Sequence, residues 1–195
     1  ALARIQPSIK NPTKTLKNNI ISTMNVLEYA RKNDIQVVYA GSSSFHYSLY
    51  GSAYAWSKYG GEELCRLYSG CYDLNTTICR FYNVYGLHQI LDGAYAAVVG
   101  IFQDQYLNNK PLTITGDGEQ RRDFTHVSDI VDGLVRCVGK DFRAEEFELG
   151  SGTNYSINEL ADMFDTEKTY IPPRPGEYPA TLCDYSKAKT QLGYR

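Results

Sequence analysis

Leu16, Ile20, Met24 and Leu27 recur at helical spacing in the stretch that follows Asn11-Pro12. That spacing predicts a helix with one apolar face, ending near Asn33. Asn11 suits its cap, and Pro12 suits its first turn. IQVVYA at 35–40 is short, apolar and rich in β-branched residues. Such a run predicts a strand buried in a parallel sheet. A second helix is expected over about 53–70, with Leu64, Leu67, Tyr68 and Cys71 on one side. Gly60 and Gly61 lie inside it and weaken it, which predicts close packing against another element. TTICRF at 76–81 predicts the next strand, and residues 94–108 a third helix.

Alternating strand and helix predicts an α/β fold, a partial doubly wound parallel sheet. In such sheets the ligand sits beyond the carboxyl ends of the strands. GSSS (41–44) and YNVYG (82–86) occupy two such ends. Further on, PLTITGDGEQRRDFTHV (111–127) predicts two short strands around a turn, with GDG a turn rather than a phosphate cradle. Asp129 is expected to help start a helix, and His126 to be structural. SINEL (156–160) carries a capping box, Ser156 with Glu159. The Pro-rich segment 171–184 predicts a loop near a site. Residues 1–90 are expected to form part of a nucleotide-binding domain. Residues 91–195 are expected to be mainly a smaller substrate-binding region, with some segments returning to the first sheet.

The chain has 195 residues, enough for one domain with a real core. Its net charge of −2 gives no basic patch and no case for nucleic acid as a partner. No apolar run is long enough to span a bilayer, and no signal peptide opens the sequence. The cysteines Cys65, Cys71, Cys79, Cys137 and Cys183 form no CxxC pair, so no zinc site is expected. Their odd number and scatter fit a reduced, cytoplasmic setting.

Tyr54 and Lys58 stand four apart in the second helix and therefore share a face. A neighbouring ammonium favours a phenolate and lowers the tyrosine pKa from about 10. Such a tyrosine can act as a base on a substrate hydroxyl. By itself the pair is weak evidence, because the chain holds 17 tyrosines. The neighbours supply the context. VVYAGSSS, YAWSK, CRFYNVYG, GDGEQRRDFTHV, GSGTNYSINEL and RPGE follow one another in this order. The series resembles the extended short-chain dehydrogenase/reductase family, in its nucleotide-sugar epimerase/dehydratase branch, and is most similar to the UDP-glucose 4-epimerase group.

The resemblance implies NAD as cofactor and a nucleotide sugar, such as a UDP-sugar, as substrate. It implies Tyr54 as acid/base, Lys58 on the nicotinamide ribose, and Ser42 or Ser43 as the serine partner. Leu2, Ala3, Asn18, Ser42, Tyr54, Lys58 and Tyr82 would face the cofactor. Ser43, Asn83, Arg122 and Arg174 would face the sugar nucleotide, the two arginines clamping its diphosphate. The plainer alternatives are turn residues at Ser42 to Ser44 and Asn83, an exposed Asn18, and surface charges at the arginines. The residues after Ser42 are Ser43 and Ser44, where related dehydratases carry an acidic pair. That favours C4 epimerisation through a 4-keto sugar over dehydration. A reductase and a non-catalytic sugar-nucleotide-binding fragment are the other readings. The resemblance also implies a homodimer formed through the helices near 13–33 and 53–70.

The family's glycine-rich NAD turn has no counterpart here. ALARIQPS resembles the segment after the family's fourth strand, so the sequence is expected to be a fragment that binds cofactor poorly unless another chain supplies the missing part. Ser42 and Tyr54 stand only 12 positions apart, which predicts a trimmed loop over the sugar.

Overall fold

Two helices open the chain, α1 (Ile5–Lys10) and α2 (Pro12–Asn33). Asn11 lies between them and caps α2, its side chain accepting from the Lys14 amide at 3.1 Å. The computed structural model describes every residue except Glu177. β1 (Val37–Ser42) follows, then the single turn α3 (Ser44–Tyr47), α4 (Ala53–Tyr72) and β2 (Thr76–Phe81). The chain continues through β3 (Val84–Tyr85), α5 (Val98–Leu107), β4 (Leu112–Thr115), β5 (Arg121–Asp123), β6 (Thr125–His126) and α6 (Val127–Cys137). It ends with β7 (Glu145–Leu149), β8 (Asn154–Ser156), α7 (Ile157–Asp162), β9 (Lys168–Ile171) and α8 (Ser186–Leu192).

The main sheet runs β1-β2-β7, parallel throughout. Successive side chains of a strand point to opposite faces. Ile78 joins Leu27, Ala30, Cys65 and Leu74 under α2 and α4. Cys79, its neighbour, joins Ile130, Phe147, Leu149 and Leu192 under α6 and α8. A separate core gathers Phe102, Leu112, Ile114, Ile157 and Leu160 beneath α5, β4 and α7.

Several expectations shift in register. β1 begins two residues later than IQVVYA and runs on to Ser42, because its pairing with β2 continues to Ser42 opposite Phe81. Gln36 is instead held by its side chain, which donates to the carbonyls of Cys137 and Lys140 at 2.9 Å. α5 starts at Val98 rather than 94; Gly93 has a φ of +77° and Ala97 is extended. The turn at GDG is present, with positive φ at Gly116 and Gly118, but the strands on either side part company. β4 pairs in parallel with β9, and β5 antiparallel with β8. Met24, Leu67 and Cys71 face outward; the buried face of α4 carries Ala55, Gly61, Glu62, Cys65 and Ser69.

The close approach predicted from Gly60 and Gly61 is present. A Cβ at Gly61 would lie 2.0 Å from the Tyr39 hydroxyl on β1, and one at Gly60 would lie 2.9 Å from Ile20 on α2. The capping box closes as the sequence predicts. Glu159 N donates to Ser156 Oγ at 3.0 Å, and Ser156 N to Glu159 Oε2 at 2.6 Å. Among the described residues, no helix is long and apolar enough to cross a membrane.

Candidate active site

Parallel register sets the carboxyl ends of the three main strands side by side, Ser42 beside Phe81 and Phe81 beside Leu149. The chain leaves β1 and β2 at that edge. Ser43 N donates to the Phe81 carbonyl and Tyr82 N to the Leu149 carbonyl, both at 3.3 Å. Ser42 Oγ accepts from the Ser44 hydroxyl at 2.8 Å and from the Tyr54 hydroxyl at 3.4 Å. Of the two candidate serines, Ser42 is the one hydrogen-bonded to Tyr54. Tyr54 comes from the first turn of α4, fixed by the Ser52 cap on Ala55 N at 3.1 Å.

Lys58 is buried one turn on, but its ammonium does not act on Tyr54 here. It sits over the Tyr39 ring, 4.4 Å from the centroid, drawn by the negative face of the aromatic. No hydrogen bond from that ammonium to a described residue accompanies the contact. Burial raises the Tyr54 pKa, while the Ser42 bond and the Arg4 guanidinium oppose the rise. The cation that favours the phenolate is therefore Arg4, not Lys58 as the spacing predicted.

Burial pulls the Lys58 pKa from 10.5 to about 8, with Glu62 opposing. Between those values the unfolded chain binds more protons than the folded one, so stability rises with pH there. Relative to Lys58→Met, wild-type stability is expected to gain up to about 3 kcal/mol between pH 8 and 10.5. Urea titrations at successive pH values check this; a flat difference would mean that the ammonium remains hydrated.

Asn18 and Asn19 part ways. Asn18 is exposed and donates back to the Lys14 carbonyl at 2.9 Å. Asn19 is buried. It accepts from Leu2 N at 2.6 Å and donates to Ser57 Oγ at 2.8 Å, and Ser57 donates to the Tyr54 carbonyl at 2.8 Å. The strip holding Leu2 and Ala3 is thus tied to the first turn of α4. Arg4 continues it, its Nε and Nη2 donating to the Tyr95 carbonyl at 2.8 and 2.6 Å. Sequence reasoning missed both Asn19 and Arg4.

Past β2, Tyr82 is buried. Asn83 has a φ of 26°, and its amide donates to the Asp123 carbonyl at 2.9 Å and Thr181 Oγ1 at 3.3 Å. Asn83 thereby shapes the turn and ties it to β5 and the Pro-rich loop. Arg122 Nη1 donates to the Tyr178 carbonyl at 2.8 Å, which brings β5 to the Pro-rich loop. Arg174 is exposed on that loop. Buried Asp123 holds the loop's far side, accepting from Ser151 N, Gly152 N and Cys183 N at 2.9–3.0 Å.

A family model described as "NAD dependent epimerase/dehydratase family" matches residues 1–150. The chain is similar to a putative UDP-glucose 4-epimerase of Methanocaldococcus jannaschii, 34% identical over 100% of this chain and 69% of that protein. It is 30% identical to a UDP-glucuronate 4-epimerase of Thermodesulfobacterium geofontis, over 100% of this chain and 65% of that one. Decarboxylases of UDP-glucuronic acid match as well. The crystal structure of UDP-glucose 4-epimerase from Thermotoga maritima with UDP-glucose superposes with a TM-score of 0.92 at 29% identity, covering 100% of this chain and 69% of that one. The chain spans about two thirds of the length of the curated relatives it matches.

Proposed function

The chain belongs to the NAD dependent epimerase/dehydratase family, and from that premise we propose that it carries the acid–base half of a nucleotide-sugar C4 epimerase. The observation that supports this reading is the Tyr54 hydroxyl on Ser42 Oγ at the carboxyl edge of β1, with Ser43 and Ser44 next in line. Dehydration needs an added acid and base, and decarboxylation changes the carbon count. The two serines offer neither carboxylate nor ammonium for an extra proton transfer. The nearby carboxylates Glu62 and Glu148 are already committed to Arg80.

The residues present fit the nicotinamide end of the cofactor. A buried ammonium without a hydrogen-bond partner among the described residues suits ribose hydroxyls, which supports assigning Lys58 to that end. Leu2, Ala3 and Tyr82 would line that end, with Asn19 holding Leu2 in place. NAD supplies the hydride acceptor and donor when bound. Tyr54 as phenolate takes the proton of the C4 hydroxyl as C4 is oxidised, and returns it when the 4-keto sugar is reduced on its other face. Ser42 orients the phenol and the substrate oxygen. Arg122 and Arg174 would hold the diphosphate, with Ser43 and Asn83 near the sugar. Exposed Ile21 and Met24 on α2, with Trp56 and Leu67 on α4, support a homodimer through these helices.

The test supplies NAD⁺ in excess to the chain with either UDP-glucose or UDP-glucuronate, and follows the C4 epimer by NMR. Interconversion of the epimers without net cofactor reduction is expected. A 4-keto-6-deoxy product, release of carbon dioxide, or stoichiometric NADH would overturn the reading.

A further inference from the structure

Arg66, Arg80 and Arg121 each meet a carboxylate, and Arg4 differs from these three in its partner. Arg4 is partly buried, yet among the described residues it meets no carboxylate. A guanidinium has five N–H donors in a fixed fork. Arg4 spends Nε and Nη2 on the Tyr95 carbonyl, which leaves Nη1 without a partner among the described residues. A cation withdrawn from water is stabilised by an opposing charge, and a neutral carbonyl does not supply one.

Its place is as telling as its partner. The strip before α1 is tied through Asn19 and Ser57 to the Tyr54 turn. Gln6, two residues on, donates to the Pro175 carbonyl at 2.6 Å, so the same strip meets the Pro-rich loop. Arg4 is thereby fixed at the reacting end of the site. Its electrostatic influence on Tyr54 agrees with that position.

We infer that Arg4 is the docking point for a carboxylate on the sugar, which makes the substrate class a nucleotide-linked uronic acid rather than a neutral hexose. This rests on the epimerase reading. With O4 at Tyr54, C6 hangs from C5, the carbon next to C4. A carboxylate at C6 therefore falls to a group that flanks Tyr54. The planar fork of arginine suits it, since carboxylates accept paired, charge-assisted hydrogen bonds.

The test is calorimetric titration of the full chain with UDP-glucuronate and UDP-glucose at one salt concentration. It compares wild type, Arg4→Gln and Arg4→Lys. Wild type should bind the uronate tighter by about tenfold or more. Arg4→Gln should bring the two dissociation constants together by weakening the uronate, and Arg4→Lys should keep part of the preference. Equal affinities in wild type, or a preference that survives Arg4→Gln, would overturn the inference and leave the epimerase reading standing. Equal weakening of both sugars by Arg4→Gln would also overturn it, showing that Arg4 only holds the Tyr95 loop. Binding of neither sugar to wild type would overturn the epimerase reading and the inference with it.

Discussion

Tyr54→Phe is expected to lower the rate of C4 epimerisation by about 10³-fold while nucleotide-sugar affinity stays within about twofold. The substitution removes one oxygen and leaves the ring, so packing at the start of α4 is kept. The lost oxygen is the one hydrogen-bonded to Ser42 Oγ. A step that needs a base at C4 then has none within the site, because Lys58 is turned onto Tyr39. The pH profile adds an independent check. Burial raises the Tyr54 pKa, so the phenolate is the minor form near neutrality. The base is the deprotonated species, and the wild-type rate should therefore climb with pH from 7 upward. Arg4 favours the phenolate, so Arg4→Gln should move that climb to higher pH. A Tyr54→Phe protein within tenfold of wild type would place the base elsewhere.

What the sequence revealed and what it concealed divide by the distance over which each residue acts. β2 was legible at TTICRF because a buried parallel strand needs only its own apolar run. The Ser156–Glu159 capping box was legible because both partners lie within one turn. The family likeness was legible because its motifs follow the chain in order. The helical stripe of α2 was legible only in part. Of Leu16, Ile20, Met24 and Leu27, which suggested one face, Leu27 is buried and Met24 exposed, while Thr15, Asn19 and Ala30 share the buried side. Polar residues on a buried stripe are invisible to hydrophobic periodicity. Asn19 is there because Leu2 and Ser57 satisfy it, and Ser57 lies 38 residues away. Arg4 was hidden for the same reason, since its carbonyl partner is 91 residues distant. Lys58 was read correctly as sharing the Tyr54 face, but spacing could not foresee the competing ring of Tyr39 on another strand.

Arg80→Leu is expected to destabilise the fold by about 4 kcal/mol, read from urea denaturation at pH 7. Arg80 on β2 is buried between carboxylates from two other elements. Its Nη2 donates to Glu62 Oε2 of α4 at 2.7 Å, and its Nη1 to Glu148 Oε1 of β7 at 2.9 Å. Its guanidinium also lies over the Phe45 ring, 3.8 Å from the centroid, just after the serine run. Nothing can fill in from β1, where a Cβ on Gly41 would come within 2.9 Å of both Arg80 and Glu62. Removing the cation alone strands buried Glu62 and takes a partner from half-buried Glu148, a costly way to break such a set. Replacing Glu62 by Gln in the same protein should recover part of the loss, because one stranded charge is then gone. The sign with pH separates charge from packing. Burial pushes Glu148 up, but its bonds to His46 and Arg80 outweigh that and hold it below the ordinary 4.5. A depressed folded pKa contributes stability above 4.5 that is lost as pH falls through the folded value. The gap between wild type and Arg80→Leu should therefore narrow on acidification. A gap that stays constant would mean that Arg80 acts through its packing on Phe45, with the ion pairs contributing nothing net.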